Sequence, residues 1–345
     1  MRTRRFYPGA LFFPSLLLAA AAARADIFYV ADNGSSSVEV IGETGTVTTL
    51  ANNVPGACGI ACDTQGNIYS LDLNQGRVYK ITKTGLVAIF ATGLRGPEAL
   101  AFNSHGDLFV ACIDGTVARI TRAGAVSTFA TLSGQLYGVA IDADDNVFVS
   151  NHDTGIISKI TKAGQVSVYA DATGGAGTYI HTGPLTNPSV AIPRFSGLGV
   201  LAFDSHGDLF AAMQNSNVIL KVDKLGGVTP YASGISDPTD IAFDSHGDIY
   251  VASASGNTIL KVPAANTLTT YATGLARPFG LASIRPLYKP APSLAALSTT
   301  DPAPALPAGF LIALCAPAVL LVIAILAWLL AGRKRASANR PEGTE

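Results

Sequence analysis

Little in this sequence suits a disulfide framework, a nucleic-acid face or a helical bundle. Cysteine occurs four times in 345 residues, as Cys58, Cys62, Cys112 and Cys315. The three in the body are an odd number and make no disulfide framework. Cys58 and Cys62 lie too far apart along one strand to bridge each other. They read as small buried apolar side chains, with a Cys58–Cys112 link between neighbouring units left open. Basic residues are scarce as well. Residues 26–283 carry 21 acidic against 13 basic side chains, whereas a nucleic-acid partner requires a basic face. Helical periodicity is absent from the same stretch. It consists of short alternating or wholly apolar runs broken by Gly, Asn, Asp and Ser.

The two ends differ in kind from this body. Residues 1–25 carry Arg2, Arg4 and Arg5, an apolar run, then Ala23-Arg24-Ala25. That order reads as a secretory signal cleaved before Asp26, with an uncleaved anchor as the alternative. Residues 308–332 contain no charged side chain, place Trp328 near one end and are followed at once by Arg333-Lys334-Arg335. Length, apolarity and flanking positive charge predict a transmembrane helix with residues 333–345 in the cytoplasm and the body outside, in the periplasm or at the cell surface. Residues 284–307 are rich in Pro and Ala and read as an extended linker.

The body is one unit written repeatedly. The dipeptides Gly66-Asn67, Gly106-Asp107, Asp145-Asn146, Gly207-Asp208 and Gly247-Asp248 follow one another at steps of 40, 39, 62 and 40 residues. The long step is one period plus an insertion at 171–195. Each unit supplies four short strands separated by turn chemistry, which is the signature of a propeller blade. Five complete units begin near Ala57, Pro97, Leu136, Leu198 and Pro238. The N-terminal fragment lacks an inner strand, and "RPFGLAS" at 277–283 is an inner strand alone. Together they complete one blade. The expected fold is therefore all-β: a six-bladed propeller over 26–283, its last blade shared by the two ends of the body.

Within the inner strands, Ile60, Leu100, Val139, Leu201, Ile241 and Leu281 are each followed by alanine. Alternation along a strand then gives every blade one bulky and one small face, which should fit together across the narrow wedge between blades. The recurring "SHGD" of "FNSHGDLF", "FDSHGDLF" and "FDSHGDIY" fits a turn between first and second strands. The leading Asp or Asn caps it and Gly takes positive φ. His105, His206 and His246 stand at tips of different blades, so they do not converge on one metal ion.

The unit "PTDIAFDSHGDIYVASASGNTILKV" at 238–262 resembles the NHL-type repeat, whose propellers include binding modules, lyases and lactonases. Ligands of such propellers sit at the channel mouth, where inner strands begin. That ring here holds Cys58, Glu98, Tyr137, Gly199, Thr239 and Phe279, with Asp240 one step further in. Loops after the second strands add Asp32, Asp72, Asp114, Asn151, His152 and Asn215. The body is also similar to gluconolactonase-type propellers, a resemblance that matches Glu98 and Asp240 to two of their metal ligands and implies Ca²⁺ or another divalent cation. Streptogramin-lyase-type propellers share the repeat flavour and depend on a catalytic histidine; His152 and His181 are the histidines outside the turns. Tyr179, His181 and Asn187 of the insertion are further candidate contacts. The expected function is a membrane-anchored, outward-facing binding module of the bacterial envelope, taking a protein, glycan or small-molecule ligand at the mouth. The alternative is a divalent-metal-dependent lactonase or related hydrolase.

Overall fold

The computed structural model describes residues 26–173 and 197–284. Within them, 24 strands form six separate four-stranded antiparallel sheets, with one turn of 3₁₀ helix at Gln214–Ser216 as the only helical element. Blades 2 to 6 are consecutive in sequence, at 57–92, 97–131, 136–171, 198–233 and 238–272. Blade 1 joins strands Phe28–Asp32, Ser37–Ile41 and Val47–Asn52 to the last strand, Pro278–Ser283. The pairing runs from Phe28 opposite Ser283 to Asp32 opposite Pro278, with one irregularity near Asp32. The two ends of the body thus lie in one sheet, as the split repeat predicts. The expected signal, linker, transmembrane and tail segments lie outside the described residues, as do Tyr179, His181 and Asn187. Among the described residues no helix is long and apolar enough to cross a membrane.

The core is six apolar layers, one in each seam between consecutive blades. Every seam sets the bulky inner-strand residue of one blade against the alanine of the blade before it. Ile60 packs with Ala282, Leu100 with Ala61 and Val139 with Ala101. Leu201 packs with Ala140, Ile241 with Ala202 and Leu281 with Ala242. A wedge this narrow admits one large side chain per contact, so large against small fills it without overpacking.

The repeated octapeptide makes the same hydrogen bonds each time. Asp204 Oδ1 accepts the amides of His206 at 2.8 Å and Asp208 at 2.9 Å. Asp63, Asn103, Asp142 and Asp244 do the same for the residues two and four further on. Positive φ falls on Gly66, Gly106, Gly207 and Gly247, and in blade 4 on Asp145. The imidazoles take no part in this pattern. We predict that Asp204→Ala lowers unfolding free energy by about 1–3 kcal/mol, because two turn amides lose their acceptor. His206→Ala should stay within about 0.5 kcal/mol of wild type. Denaturant titration of the two variants checks both values.

Candidate functional site

Each inner strand starts at the same end of the ring, so the first residues of neighbouring blades converge there. Glu98 of blade 3 is half-buried, and burial raises its carboxyl to about 7. Tyr137 of blade 4 lies close enough that Glu98, after burial itself, pushes its phenol up. His152 follows Asn151, which pairs with Leu136 in the same blade. That register brings the imidazole onto the Tyr137 ring, stacked at 4.3 Å between centroids and 25° between planes. Asp153 stands beside them, with Oδ1 3.9 Å from His152 Nδ1 and Oδ2 accepting the Gln135 amide at 3.0 Å.

On the other side of Glu98, Cys58 is fully buried and its Sγ lies 3.5 Å from the Pro97 carbonyl of the next blade. Burial first, then the charge of Glu98, push this thiol above its ordinary range; the same causes, with Asp114, raise Cys112 to about 12. Cys58, Cys62 and Cys112 are all free, so the Cys58–Cys112 link is not formed. Phe279 packs against the apolar layer that contains Cys58, and the Arg277 guanidinium sits 5.7 Å from its ring centroid. The mouth therefore gathers an acid poised near neutrality, a stacked Tyr–His pair and an Arg–Phe pair. Such a surface can donate and accept hydrogen bonds, exchange a proton near pH 7 and offer aromatic faces.

Other residues expected at the mouth serve the fold. Asp72 is fully buried: Oδ1 accepts the amides of Asn74 and Gln75 at 3.0 Å, and Oδ2 accepts Tyr79 Oη–H at 3.2 Å. Asn151 accepts the amides of Asp153 and Thr154 at 3.1 Å and donates to the Ser133 carbonyl at 2.6 Å. Asp114 is exposed and accepts the Thr116 amide at 3.0 Å. Asp240 is only 9% exposed. It stands where other inner strands carry Gly59, Ala99, Gly138, Val200 and Gly280. Its Oδ1 accepts the Ile241 amide at 2.8 Å, and its Oδ2 accepts the Leu281 amide of the closing strand at 2.7 Å. Asp240 thus ties blade 6 to blade 1, with both oxygens engaged by backbone. Arg277 and Asp153 were not singled out in the sequence. Arg277 occupies a positive-φ turn position and Asp153 a loop, and neither type stands out from solvated charge there.

Among the described residues, one group of three ligand-type side chains lies within reach of a single ion, on the opposite rim: Asp26, Asp244 and His246. Its carboxylates are already compensated. Asp26 accepts the Ser245 amide at 3.1 Å and hydroxyl at 2.7 Å, while Asp244 holds two amides and faces Lys261 Nζ at 3.4 Å. The chemistry is that of a clasp between blades 1 and 6. Asp145 clasps Ser104 of blade 3 in the same way.

Burial of Asp240 has a pH consequence. Its folded pKa is raised to about 7 by desolvation, against two opposing amide bonds, and that of Glu98 is raised to about 7 as well. Between the ordinary carboxyl value near 4 and about 7, the native state binds more protons than the unfolded chain. Stability contributed by the protonated forms is then lost as pH rises through that window, by about 1.4 kcal/mol per pH unit for each group, and levels off above it. We predict that Asp240→Asn roughly halves this slope, leaving the part due to Glu98. Urea midpoints from pH 4.5 to 8 read the slope.

Among known proteins, a family model described as strictosidine synthase-like, N-terminal, matches residues 84–120, about one blade's length. No curated protein matches in sequence. Solved structures share the architecture at low identity. A nidogen/laminin complex aligns at 12% identity over 76% of this chain and 98% of that one, with a TM-score of 0.62. A streptogramin B lyase aligns at 15% identity over 74% of this chain and 76% of that one, with a TM-score of 0.51. A catalytically inactive virginiamycin B lyase from Staphylococcus aureus, solved with quinupristin, aligns at 18% identity over 65% and 73%, with a TM-score of 0.50. At these identities the likeness is one of fold alone, and the chain's own six four-stranded sheets make it a six-bladed β-propeller.

Proposed function

We propose that this chain is a membrane-anchored, outward-facing binding module of the bacterial envelope, which captures a hydroxyl-rich glycan at the channel mouth. The observation that carries this reading is the grouping of Glu98, Tyr137 and His152 at one end of the ring. Aromatic side chains offer faces to the C–H surface of a sugar, and a half-buried carboxyl accepts its hydroxyl hydrogen bonds strongly because little water competes. Export and anchoring rest on the sequence of residues 1–25 and 308–335.

A second reading is favoured by one observation, the carboxyl of Glu98 raised to about 7. A group with that pKa is matched to general acid–base work at neutral pH, as a lactonase or related hydrolase requires. A metal-dependent version built on Glu98 and Asp240 would have to draw Asp240 away from the Ile241 and Leu281 amides.

Both readings are tested together with the full chain. Glycan-array binding should be retained by wild type and fall at least tenfold in Tyr137→Ala and Glu98→Gln, while sugar lactones with Ca²⁺, Mn²⁺ or Zn²⁺ remain unhydrolysed. No glycan captured, or capture unchanged in both variants, contradicts the binding module. Metal-dependent lactone turnover lost in Glu98→Gln replaces it with the hydrolase.

A further inference from the structure

Blades 1 and 2 carry acids at matching places, and only one of the two sets is balanced. In blade 2, Asp72 ends the second strand and Arg77 begins the third, directly opposite it. Tyr79, two residues further on and so on the same face, donates its hydroxyl to Asp72 Oδ2 at 3.2 Å. The charge of Arg77 acts on the same phenol. A buried carboxylate thus has a donor against it and a cation close by. In blade 1 the same three places hold Asp32, Ser37 and Glu39, with Asp32 directly opposite Ser37. The cation has become a hydroxyl and the donor a second acid.

Both acids are buried, Asp32 at 3% exposure and Glu39 at 7%. Ser37 Oγ donates to Glu39 Oε1 at 2.5 Å, and Thr49 Oγ1 donates to the same oxygen at 3.2 Å. Ser35 Oγ lies 2.6 Å from Ser37 Oγ. Asp32 Oδ2 accepts the Ala276 amide at 2.8 Å, whereas its Oδ1 is buried without a hydrogen-bond partner among the described residues. No Lys, Arg or His nitrogen of those residues lies within 4.0 Å of either carboxylate. Ser35 and Thr49 are exposed, so the row of hydroxyls reaches solvent at both ends.

We propose that this corner of blade 1 binds Ca²⁺, with Asp32 Oδ1, the Glu39 carboxylate and the Ser35 and Ser37 hydroxyls as its ligands. Two buried carboxylates without a counter-charge are costly, and one divalent ion balances them. The donors are all hard oxygens, with no nitrogen or sulfur among them, which selects Ca²⁺ or Mg²⁺ over a transition metal. Mg²⁺ keeps most of its water and suits open sites, so a set of protein oxygens this buried favours Ca²⁺. The Asp26, Asp244 and His246 group differs, because its carboxylates already have serine and lysine partners. Asp32 also holds the Ala276 amide, two residues before the closing strand. The ion therefore fastens the joint between blades 1 and 6.

Ca²⁺ itself is the probe, titrated by calorimetry into the full chain after EDTA treatment and dialysis. Thermal midpoints are read in Ca²⁺ and in KCl of equal ionic strength. Wild type should bind saturably, and its midpoint should rise by about 5 °C or more once Ca²⁺ exceeds Kd a hundredfold. Glu39→Gln keeps the shape and removes one charge, so it should weaken binding at least about tenfold and cancel most of the rise. Ser37→Arg copies Arg77 of blade 2 and should abolish binding without lowering the midpoint of the EDTA-treated protein. Absence of saturable binding overturns the proposal, as does a midpoint rise that KCl reproduces. Binding of wild-type strength in Glu39→Gln puts the ion elsewhere and also overturns it. Should Glu39→Gln fail to fold, Ser37→Arg decides: binding lost supports the site, binding retained overturns it.

Discussion

Ring closure depends on one contact, the pairing of Pro278–Ser283 with Phe28–Asp32. A propeller without it has an open seam on each side and two unpaired strand edges near its axis, and no inner strand for its first blade. The surrounding polar network reinforces the pairing. Asp32 Oδ2 accepts the Ala276 amide at 2.8 Å, Gly34 donates to the Ala276 carbonyl at 2.7 Å, and Asn33 donates to Arg277 at 3.2 Å. From the other side, Thr239 Oγ1 donates to the Pro278 carbonyl at 3.0 Å and Asp240 accepts from Leu281. Asp26 and Ser245 add a clasp at the far rim. The closing strand is thus gripped by the rest of its own blade and by blade 6. The buried carboxyl of Asp240 is accommodated at this seam with both its oxygens hydrogen-bonded to backbone amides.

Six seams built on one rule leave function to the departures from it. Where the seam rule is kept, large faces small, and the contact can do little beyond holding blades together. At the mouth, Glu98 and Tyr137 stand at positions that elsewhere hold Cys58, Gly199, Thr239 or Phe279. Blades 3 and 4 therefore carry the polar part of the mouth group, and the rest of the ring acts as a rigid frame for it.

The fold was legible because it is written many times. Four-strand periodicity, the bulky–alanine alternation and the split unit each constrain the same ring, and the Asp-x-x-Gly turn follows from the reach of a short carboxylate to amides two and four residues on. The site was legible only in part. Register at a strand end tells which rim a side chain occupies, which was enough for Glu98, Tyr137, His152 and Phe279. It does not tell whether the side chain faces the channel or folds back on its own turn. Asp72 and Asn151 fold back, since the same side-chain oxygen that could meet a ligand reaches the loop amides two and three residues further on. Asp240 was hidden for another reason: its partner, the Leu281 amide, belongs to the next blade of the ring, a contact between strands far apart in sequence.

The most direct test of closure is the thermal unfolding of residues 26–283 against the same body ending at Leu275. With the closing strand present, a single cooperative transition is expected. Its removal should lower the midpoint by on the order of 10 °C or more, or abolish cooperativity. Equal midpoints and equally sharp transitions for the two chains would contradict a ring held shut by its ends.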